Sequence, residues 1–353
     1  MISPASTTAW LSGYIPDMPT PFDESDQIDV HAMEALCERQ IAAGASALVV
    51  CETAGEAATL SAQERGTIIR AAVGIARGRA RIIAGAGSNS TSRAIELTRL
   101  AKAAGADAVL SVVPYYNKPM QNGLYAHFRA IADAAELPII LHDIPARSAR
   151  ELADDTLLRL SESKGFIGLR DGSGDLTRPM RLRPQLQEGF RLLSGHDATA
   201  LPYFAAGGDG CISFTSNVTP DLCLTILSNL KQGRLQTARY LQKRLIALEA
   251  CLAKESPAAL KYALSLLGFM HPQTRLPIVP LDDPAKAVVA NAIASLDEDL
   301  TITAEARQSF PSASRLRWVL GTPFRSRTAH IILFRLIFPV RPEPCRKQKR
   351  QNS

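Results

Sequence analysis

Eight short apolar runs, each followed by a longer amphipathic stretch, constrain the fold of this chain more than any other feature. The runs are four to six residues long and occupy residues 14–18, 47–50, 81–84, 108–113, 138–141, 166–169, 191–194 and 211–214. Continuous apolar runs of this length are typical of parallel strands that are buried on both faces. Eight strands alternating with helices predict an α/β fold of the (β/α)8 TIM-barrel type, and an open doubly wound sheet is the alternative.

The strand pattern stops near residue 220, and helical periodicity takes over. Apolar residues recur at helical spacing over residues 222–232, 235–252, 257–267 and 283–294, which predicts an appended helical bundle. We therefore predict three segments: the barrel over residues 1–220, a C-terminal helical domain over 221–306, and a tail over 307–353. The tail is rich in Ser, Pro and Arg without a sustained period, so we predict a disordered or loosely attached segment. A basic interaction arm and an out-of-frame extension are the alternatives.

The net charge of +6 would by itself suggest a nucleic-acid partner. The positive charge is concentrated in the tail, where residues 309–353 contain ten Lys and Arg residues and one Glu, a net charge of +9. The first 308 residues therefore carry a net charge of −3. Because the predicted folded part is mildly acidic, we expect no nucleic-acid partner.

The cysteine pattern and the apolar segments favour a cytoplasmic protein. The six cysteines form no CxxC pair, and the six histidines form no HExxH or similar metal-ligand cluster. The N-terminal residues lack the pattern of a secretory signal. The longest apolar stretch of the tail, residues 331–340, is interrupted by Arg335 and falls short of the ~20 residues that a membrane-spanning helix needs. We expect neither a metal nor an organic cofactor, and no membrane segment.

Polar residues gather immediately after the predicted strands. In a (β/α)8 barrel the active site lies at the carboxyl ends of the strands, so these residues should meet at one mouth. The set comprises Thr20, the loop 52–56, the loop 85–89, Tyr115, Tyr116, His142, Asp143, Arg170, Asp171, Gly195, His196, Ile212 and Ser213. The glycine turn at 85–87 lacks the third glycine of a dinucleotide fingerprint, which argues against a nucleotide cofactor.

Six motifs in this set resemble one known family. In chain order they are ETAGE (52–56), GAGSNS (85–90), YYNKP (115–119), LHDIPAR (141–147), FIGLRDGSGD (166–175) and GGDGCIS (207–213). Together they cover most of the chain, from about residue 13 to about residue 294, and they resemble the dihydrodipicolinate synthase and N-acetylneuraminate lyase family of aldolase-type enzymes. The tyrosine loop and Arg147 resemble the synthase branch more closely.

The resemblance implies a cofactor-free lyase of lysine biosynthesis, assembled as a homo-oligomer and commonly as a homotetramer. In such an enzyme a lysine forms an imine with pyruvate, a threonine and two tyrosines relay protons, and the imine attacks an aldehyde such as aspartate semialdehyde. Carried over by motif, Thr53 and Tyr116 are the relay residues present, and Arg147 binds the carboxylate of the aldehyde. The predicted substrate-binding set is Ala54, Arg147, Gly195 and Ile212.

Four positions depart from the family pattern, and one of them is Glu52, which stands where the loop of the family carries a glycine. Arg170 stands at the position of the imine-forming lysine, and a guanidinium with a pKa above ~12 has no free amine to attack a ketone. His142 replaces the second tyrosine and remains able to move protons near neutral pH. Ala54 replaces the second threonine of the loop, so one hydroxyl donor to the carboxylate of the 2-oxo acid is lost, at a cost of about 1–3 kcal/mol. Lys118 and Lys164 are not expected to replace the missing amine.

The paired occurrence of Glu52 and Arg170 suggests an ion pair across the mouth, with Glu56 as the competing partner of Arg170. Arg170 is alternatively a satisfied buried arginine or a group that binds a carboxylate. His142 is alternatively a packed strand-end residue, and the two tyrosines of the YYNKP loop are alternatively subunit contacts. Two functions follow for the chain: a lyase acting on a pyruvate-like 2-oxo acid and an aldehyde, or a catalytically silent paralogue that binds a 2-oxo acid or a partner subunit.

Overall fold

Eight parallel strands form a closed barrel in the computed structural model, which describes residues 8–306, without the side chains of residues 135, 255 and 297–306. The strands are β1 (Gly13–Pro16), β2 (Ala47–Val50), β3 (Arg81–Gly85), β4 (Ala108–Val112), β5 (Ile139–Asp143), β6 (Phe166–Asp171), β7 (Arg191–Ser194) and β8 (Gly210–Ser213). Their order is β1-β8-β7-β6-β5-β4-β3-β2. The barrel closes where the Met18 amide donates to the Val49 carbonyl at 2.8 Å. The prediction of a (β/α)8 barrel is confirmed.

Helices connect the strands and continue beyond the last of them. They are α1 (Val30–Ala42), α2 (Ala62–Ala76), α3 (Thr91–Ala103), α4 (Gln121–Ala135), α5 (Pro145–Ser148), α6 (Asp154–Ser161), α7 (Arg178–Leu182), α8 (Ala200–Ala205), α9 (Thr215–Val218), α10 (Pro220–Lys231), α11 (Leu235–Glu255), α12 (Ala258–Leu266) and α13 (Asp283–Ala306). Two single-turn 3-10 helices, Ala57–Thr59 and Asp197–Thr199, lie in the loops after β2 and β7. Within residues 8–306, every helix is too short or too polar to cross a lipid bilayer.

The four C-terminal helices α10 to α13 follow the last strand, as the periodicity predicts. Helix α10 packs against α11 and against β1, and its Cys223 and Ile226 belong to the main apolar core. Helix α13 runs to Ala306, twelve residues further than the apolar pattern indicated. A domain boundary at residue 220 stays a prediction, and the predicted tail at 307–353 lies outside the described residues.

The interior of the barrel is an apolar layer beneath a polar mouth. The layer is formed by side chains from seven strands: Ile15, Val49, Ile83, Leu110, Ile140, Leu193 and Ile212. Side chains alternate between the two faces of a strand, so a residue two positions further along faces the same interior, nearer the mouth. By this rule Asp17, His142 and Arg170 form the next layer. The strand register supports this placement. His142 pairs with Arg170, and Arg170 pairs with Leu193, whose side chain belongs to the interior apolar layer. Paired residues of neighbouring strands face the same side of the sheet.

The loop after β2 is held close to β3 by a glycine. A Cβ atom on Gly85 would overlap the carbonyl oxygen of Cys51, so glycine is required at this close approach. Helix α2 then starts with a capping box, in which the Ser61 hydroxyl accepts from the Glu64 amide and the Glu64 carboxylate accepts from the Ser61 amide. Both features fix the ETAGE loop above the barrel interior.

Candidate active site at the barrel mouth

Arg170 lies at the end of β6 and points into the barrel interior. The residue is 2% exposed. Its Nη1 atom donates to Asp17 Oδ2 at 3.0 Å and to Glu52 Oε2 at 3.4 Å. Its guanidinium carbon lies 6.0 Å from the centroid of the Phe214 ring. One guanidinium therefore bridges two carboxylates at the position where the family motif carries an amine.

Glu52 is the centre of the site. Its Oε2 atom accepts from Arg170 and, in short contacts, from the amide and the hydroxyl of Thr53. Its Oε1 atom lies 3.1 Å from His142 Nδ1. Burial alone would raise the pKa of Glu52, but His142, which is protonated at the low pH where Glu52 titrates, and then Arg170 and Thr53 hold that pKa well below the usual value. Glu52 is therefore an ionised carboxylate with four donors.

His142 is buried and oriented by Glu52. Burial first, and then the positive charge of Arg170, lower the pKa of His142 despite the opposing effect of Glu52. The imidazole is therefore neutral near pH 7. Because ionised Glu52 can only accept a hydrogen bond, the single ring proton sits on Nδ1. The other ring nitrogen, Nε2, is buried and has no hydrogen-bond partner among the described residues, which leaves its lone pair free.

Asp17 completes the site, although the sequence patterns did not single it out. Its side chain is fully buried, and burial together with the negative charge of Glu52 raises its pKa to about 7, although Arg170 acts in the opposite direction. Its second oxygen, Oδ1, has no hydrogen-bond partner in the described part of the chain. The available signal was an acid two positions after Ile15, on the face of β1 that lines the interior.

Glu56 does not take part in this cluster. Instead, its carboxylate forms a buried ion pair with Lys261 Nζ at 2.5 Å and accepts from the Arg275 amide at 2.8 Å. Burial lowers the pKa of Lys261 to about 8. The pair joins α12 to the loop after β2, in which Glu56 adopts a left-handed backbone with φ of 52°. Of the two predicted partners of Arg170, the structure places Glu52 beside it and Glu56 with Lys261.

Three lysine amines, those of Lys118, Lys164 and Lys261, have surroundings other than the cluster around Arg170. Lys118 is exposed on the tyrosine loop, and Lys164 is exposed before the start of β6, at the opposite end of the strand from Arg170. Lys261 is buried in its pair with Glu56 and also donates to the Gln273 carbonyl at 2.8 Å. Each amine is thus either at the surface or engaged elsewhere.

The remaining predicted site residues lie around the cluster rather than in it. Ala54 is fully buried in the loop, and Gly195 is fixed by a hydrogen bond from its amide to the Asp171 carbonyl at 2.7 Å. Ile212 belongs to the apolar layer beneath the mouth. Arg147 is exposed on α5, and Tyr116 is 91% exposed with a left-handed backbone. In a single chain the structure therefore brings together Thr53, Glu52, His142 and Arg170, but not Tyr116 and Arg147.

A second buried network supports the strand ends from outside the barrel. Asp143 and Asp171 directly follow His142 and Arg170, so they face the opposite side of their strands. Both accept from Nη1 of the fully buried Arg178, at 2.8 and 3.1 Å. This shared guanidinium ties β5 to β6 and thereby fixes the separation of the two interior side chains. The sequence patterns did not indicate Arg178, whose partner Asp143 lies 35 residues earlier in the chain.

Fold and site together define a (β/α)8-barrel protein with a buried, charged cluster at the carboxyl ends of its strands. The model of the dihydrodipicolinate synthetase family matches residues 10–296. The 4-hydroxy-tetrahydrodipicolinate synthase of Phenylobacterium zucineum is 46% identical over 282 residues, covering 80% of this chain and 96% of the relative. That of Hyphomonas neptunium is 45% identical over 285 residues, covering 80% and 97%. The chain belongs to the dihydrodipicolinate synthetase family.

Solved structures agree with this assignment. The 4-hydroxy-tetrahydrodipicolinate synthase of Methylacidiphilum fumariolicum SolV has a TM-score of 0.80 at 36% identity, covering 83% of this chain and 98% of that one. The dihydrodipicolinate synthase of Acinetobacter baumannii, solved in complex with pyruvate, has a TM-score of 0.78 at 38% identity, covering 81% and 99%. The barrel of this chain is thus similar over nearly the full length of these enzymes.

Proposed function

We propose that this chain is a lyase of the 4-hydroxy-tetrahydrodipicolinate synthase type. Its substrates would be a 2-oxo acid such as pyruvate and an aldehyde such as aspartate semialdehyde, joined by an aldol-type condensation at the barrel mouth. The observation that carries the proposal is similarity over 96% of the length of a synthase, combined with a mouth in which Thr53 contacts the buried cluster. The reaction is proposed to need neither a metal nor an organic cofactor.

Arg170 changes the route that this reaction can take. An imine requires a neutral primary amine, whereas the guanidinium remains cationic. We therefore propose an enolate route. A base removes a proton from C3 of pyruvate, the oxygen of the resulting enolate is stabilised by the positive charge of Arg170, and C3 then bonds to the carbonyl carbon of the aldehyde. The aldehyde oxygen becomes an alkoxide and takes up a proton, which completes the balance.

His142 is the proposed base. Its Nδ1 atom is fixed by Glu52, and its Nε2 atom has a free lone pair, so Glu52 acts as a positioning residue that selects the tautomer. The lowered pKa keeps the imidazole neutral at the pH where it must accept a proton. His142 in this role would replace the proton-relay tyrosine that the family motif carries.

Proton exchange at C3 of pyruvate tests this function directly. The full chain is incubated with pyruvate in D2O, and the methyl proton signal is followed by NMR. We expect the signal to decay faster than in buffer and faster than with His142→Phe, while borohydride reduction gives no covalent adduct by intact mass. Failure of the wild-type chain to exchange the methyl protons would contradict the enolate route. A pyruvate adduct in the wild-type chain would contradict the imine-free mechanism.

The second candidate is a silent paralogue that binds a 2-oxo acid or a partner subunit without turnover. The observation that favours it is the near-complete burial of Arg170, whose guanidinium is already bound by Asp17 and Glu52. Such an arginine fills space that a covalent intermediate would need. Pyruvate binding without methyl exchange, and without condensation with aspartate semialdehyde, would select this candidate over the lyase.

Assembly and compartment are further parts of the proposal. We propose a cytoplasmic homo-oligomer in which the tyrosine loop is a subunit contact. The support is an exposed aromatic pair, because Tyr115 is 41% and Tyr116 is 91% exposed in the single chain. Sedimentation of the full chain and of Tyr116→Ala tests the contact, and we expect the variant to dissociate at higher protein concentration than the wild type. Equal sedimentation of both proteins would contradict it.

A further inference from the structure

The charges at the barrel mouth do not balance. Two carboxylates, Asp17 on the interior face after β1 and Glu52 after β2, share the single guanidinium of Arg170 on β6. His142 on β5 is neutral, and burial raises the pKa of the Cys211 thiol on β8 well above its ordinary value. Arg65 on α2 is a further cation whose charge acts on Glu52, but its guanidinium donates to the carbonyls of Gly85 and Ala57 and to neither carboxylate. With both acids ionised, the groups in direct contact, Asp17, Glu52 and Arg170, therefore carry one excess negative charge.

Glu52 and Asp17 differ in how readily each carboxylate takes up a proton. Glu52 has four donors around its two oxygens, and its pKa is lowered. Asp17 has one side-chain donor, Arg170, and a weaker interaction with the Ala54 amide that lowers its pKa, while its Oδ1 atom is buried without a hydrogen-bond partner among residues 8–306. Its own backbone carbonyl is already occupied by the Asn217 side-chain amide at 2.8 Å. Asp17 is therefore the member of the cluster that is protonated more easily.

An anionic ligand adds a third negative group around one guanidinium. Asp17 and Arg170 are almost completely buried, so bulk solvent screens their charges poorly and like charges repel strongly there. The repulsion is relieved when one acid becomes neutral and releases its hydrogen bond from Arg170. We propose that a 2-oxo acid anion enters this mouth together with one proton, which Asp17 takes up as the ligand replaces it on Arg170.

Asp17 thus determines the charge of the ligand that the site accepts. The inference rests on the proposed function, because it takes a 2-oxo acid as the ligand. Burial raises the pKa of Asp17 to about 7. Below that pH the Asp17 carboxyl is already protonated in many molecules, whereas above it the binding of the ligand must draw the proton from solution. The dissociation constant for pyruvate should therefore be nearly constant at acidic pH and rise roughly tenfold per pH unit above about pH 7.

Calorimetric titration of the full chain with pyruvate tests the inference. At about pH 8, two buffers with different ionisation enthalpies reveal how many protons the complex takes up, and we expect about one per pyruvate. Asp17→Asn should remove this uptake and make the dissociation constant independent of pH. Asp133→Asn, a substitution on the exposed surface of α4, is the matched control and should behave as the wild type.

Each outcome decides a different question. Pyruvate binding with no proton uptake and no change of affinity between about pH 6 and pH 8 would overturn the role of Asp17 and leave the proposed function intact. No pyruvate binding at either pH would overturn both. If circular dichroism shows that Asp17→Asn does not fold, the proton count of the wild-type complex alone supports or overturns the inference.

Discussion

The Nδ1 atom of His142 lies 3.1 Å from Oε1 of Glu52, with both side chains buried at the mouth of the barrel. The relationship joins two positions that both depart from the family motif. It also fixes the tautomer of the imidazole, which leaves Nε2 directed away from Glu52 as a free base. The same carboxylate also binds Arg170. Glu52 therefore holds both the proposed base, His142, and the cation that stabilises the enolate, Arg170.

Replacing Glu52 should slow the formation of the enolate. In Glu52→Gln the amide can present either a donor or an acceptor to Nδ1, so the tautomer of His142 is no longer fixed. We expect exchange of the pyruvate methyl protons to fall roughly 100-fold, within the range typical of a lost general base. The NMR exchange assay measures it, with Glu96→Gln on the exposed face of α3 as the control. Unchanged exchange in Glu52→Gln would rule out this role.

Restoring the amine should restore part of the covalent chemistry. In Arg170→Lys the new ammonium would lie beside Asp17 and Glu52, and two carboxylates raise the pKa of a neighbouring amine. We expect a borohydride-trapped pyruvate adduct that is partial near neutral pH and increases with pH. The further change Glu52→Gly, which restores the residue of the family motif, should increase the adduct. Intact mass spectrometry reads both, and a lower yield in the double variant would contradict the electrostatic argument.

Asp17 should make stability depend on pH. Its pKa is raised from 3.8 to about 7 in the folded chain, so the folded state binds a proton more tightly than the unfolded state. The resulting stabilisation is complete below pH 3.8 and is lost as the pH rises through about 7. The free energy of unfolding of the wild type relative to Asp17→Asn should therefore fall by on the order of 4 kcal/mol over that interval. Urea unfolding at several pH values measures it, and parallel pH profiles would contradict it.

The pair of Glu56 and Lys261 should be needed for a stable fold. Both side chains are fully buried, so Lys261→Met leaves a buried carboxylate without its partner. We expect a loss of about 3–5 kcal/mol in the free energy of unfolding. The double variant Glu56→Gln, Lys261→Met should recover much of that loss, because no unpaired charge remains. Urea unfolding of the three proteins tests the pair, and equal losses in the single and double variants would argue against it.

The barrel was predictable because each strand is a continuous apolar run, and such runs are decided by local sequence. The placement of His142 and Arg170 also followed from their position at strand ends. The strand ends themselves shifted by one or two residues: β5 and β6 extend through His142-Asp143 and Arg170-Asp171, where the ladder between the two strands continues. Local sequence patterns do not show how many residues the hydrogen-bonded ladder between two strands includes.

The partners within the site were harder to predict, because they depend on closure of the barrel. Asp17 lies in a run whose apolar character predicts a strand, and its proximity to Arg170 appears only when β1 pairs with β8. Lys261 lies on a helix far along the chain, and its contact with Glu56 depends on the packing of α12 against the barrel. Pairing across the barrel is long-range information that motif spacing does not contain.

Borohydride reduction of the full wild-type chain with pyruvate, read by intact mass, tests the central claim most directly. A guanidinium at position 170 predicts a chain of unmodified mass, while Arg170→Lys in the same experiment gains the mass of a reduced pyruvate adduct. A stable pyruvate adduct on the wild-type chain would contradict the claim that this barrel handles a 2-oxo acid without an imine.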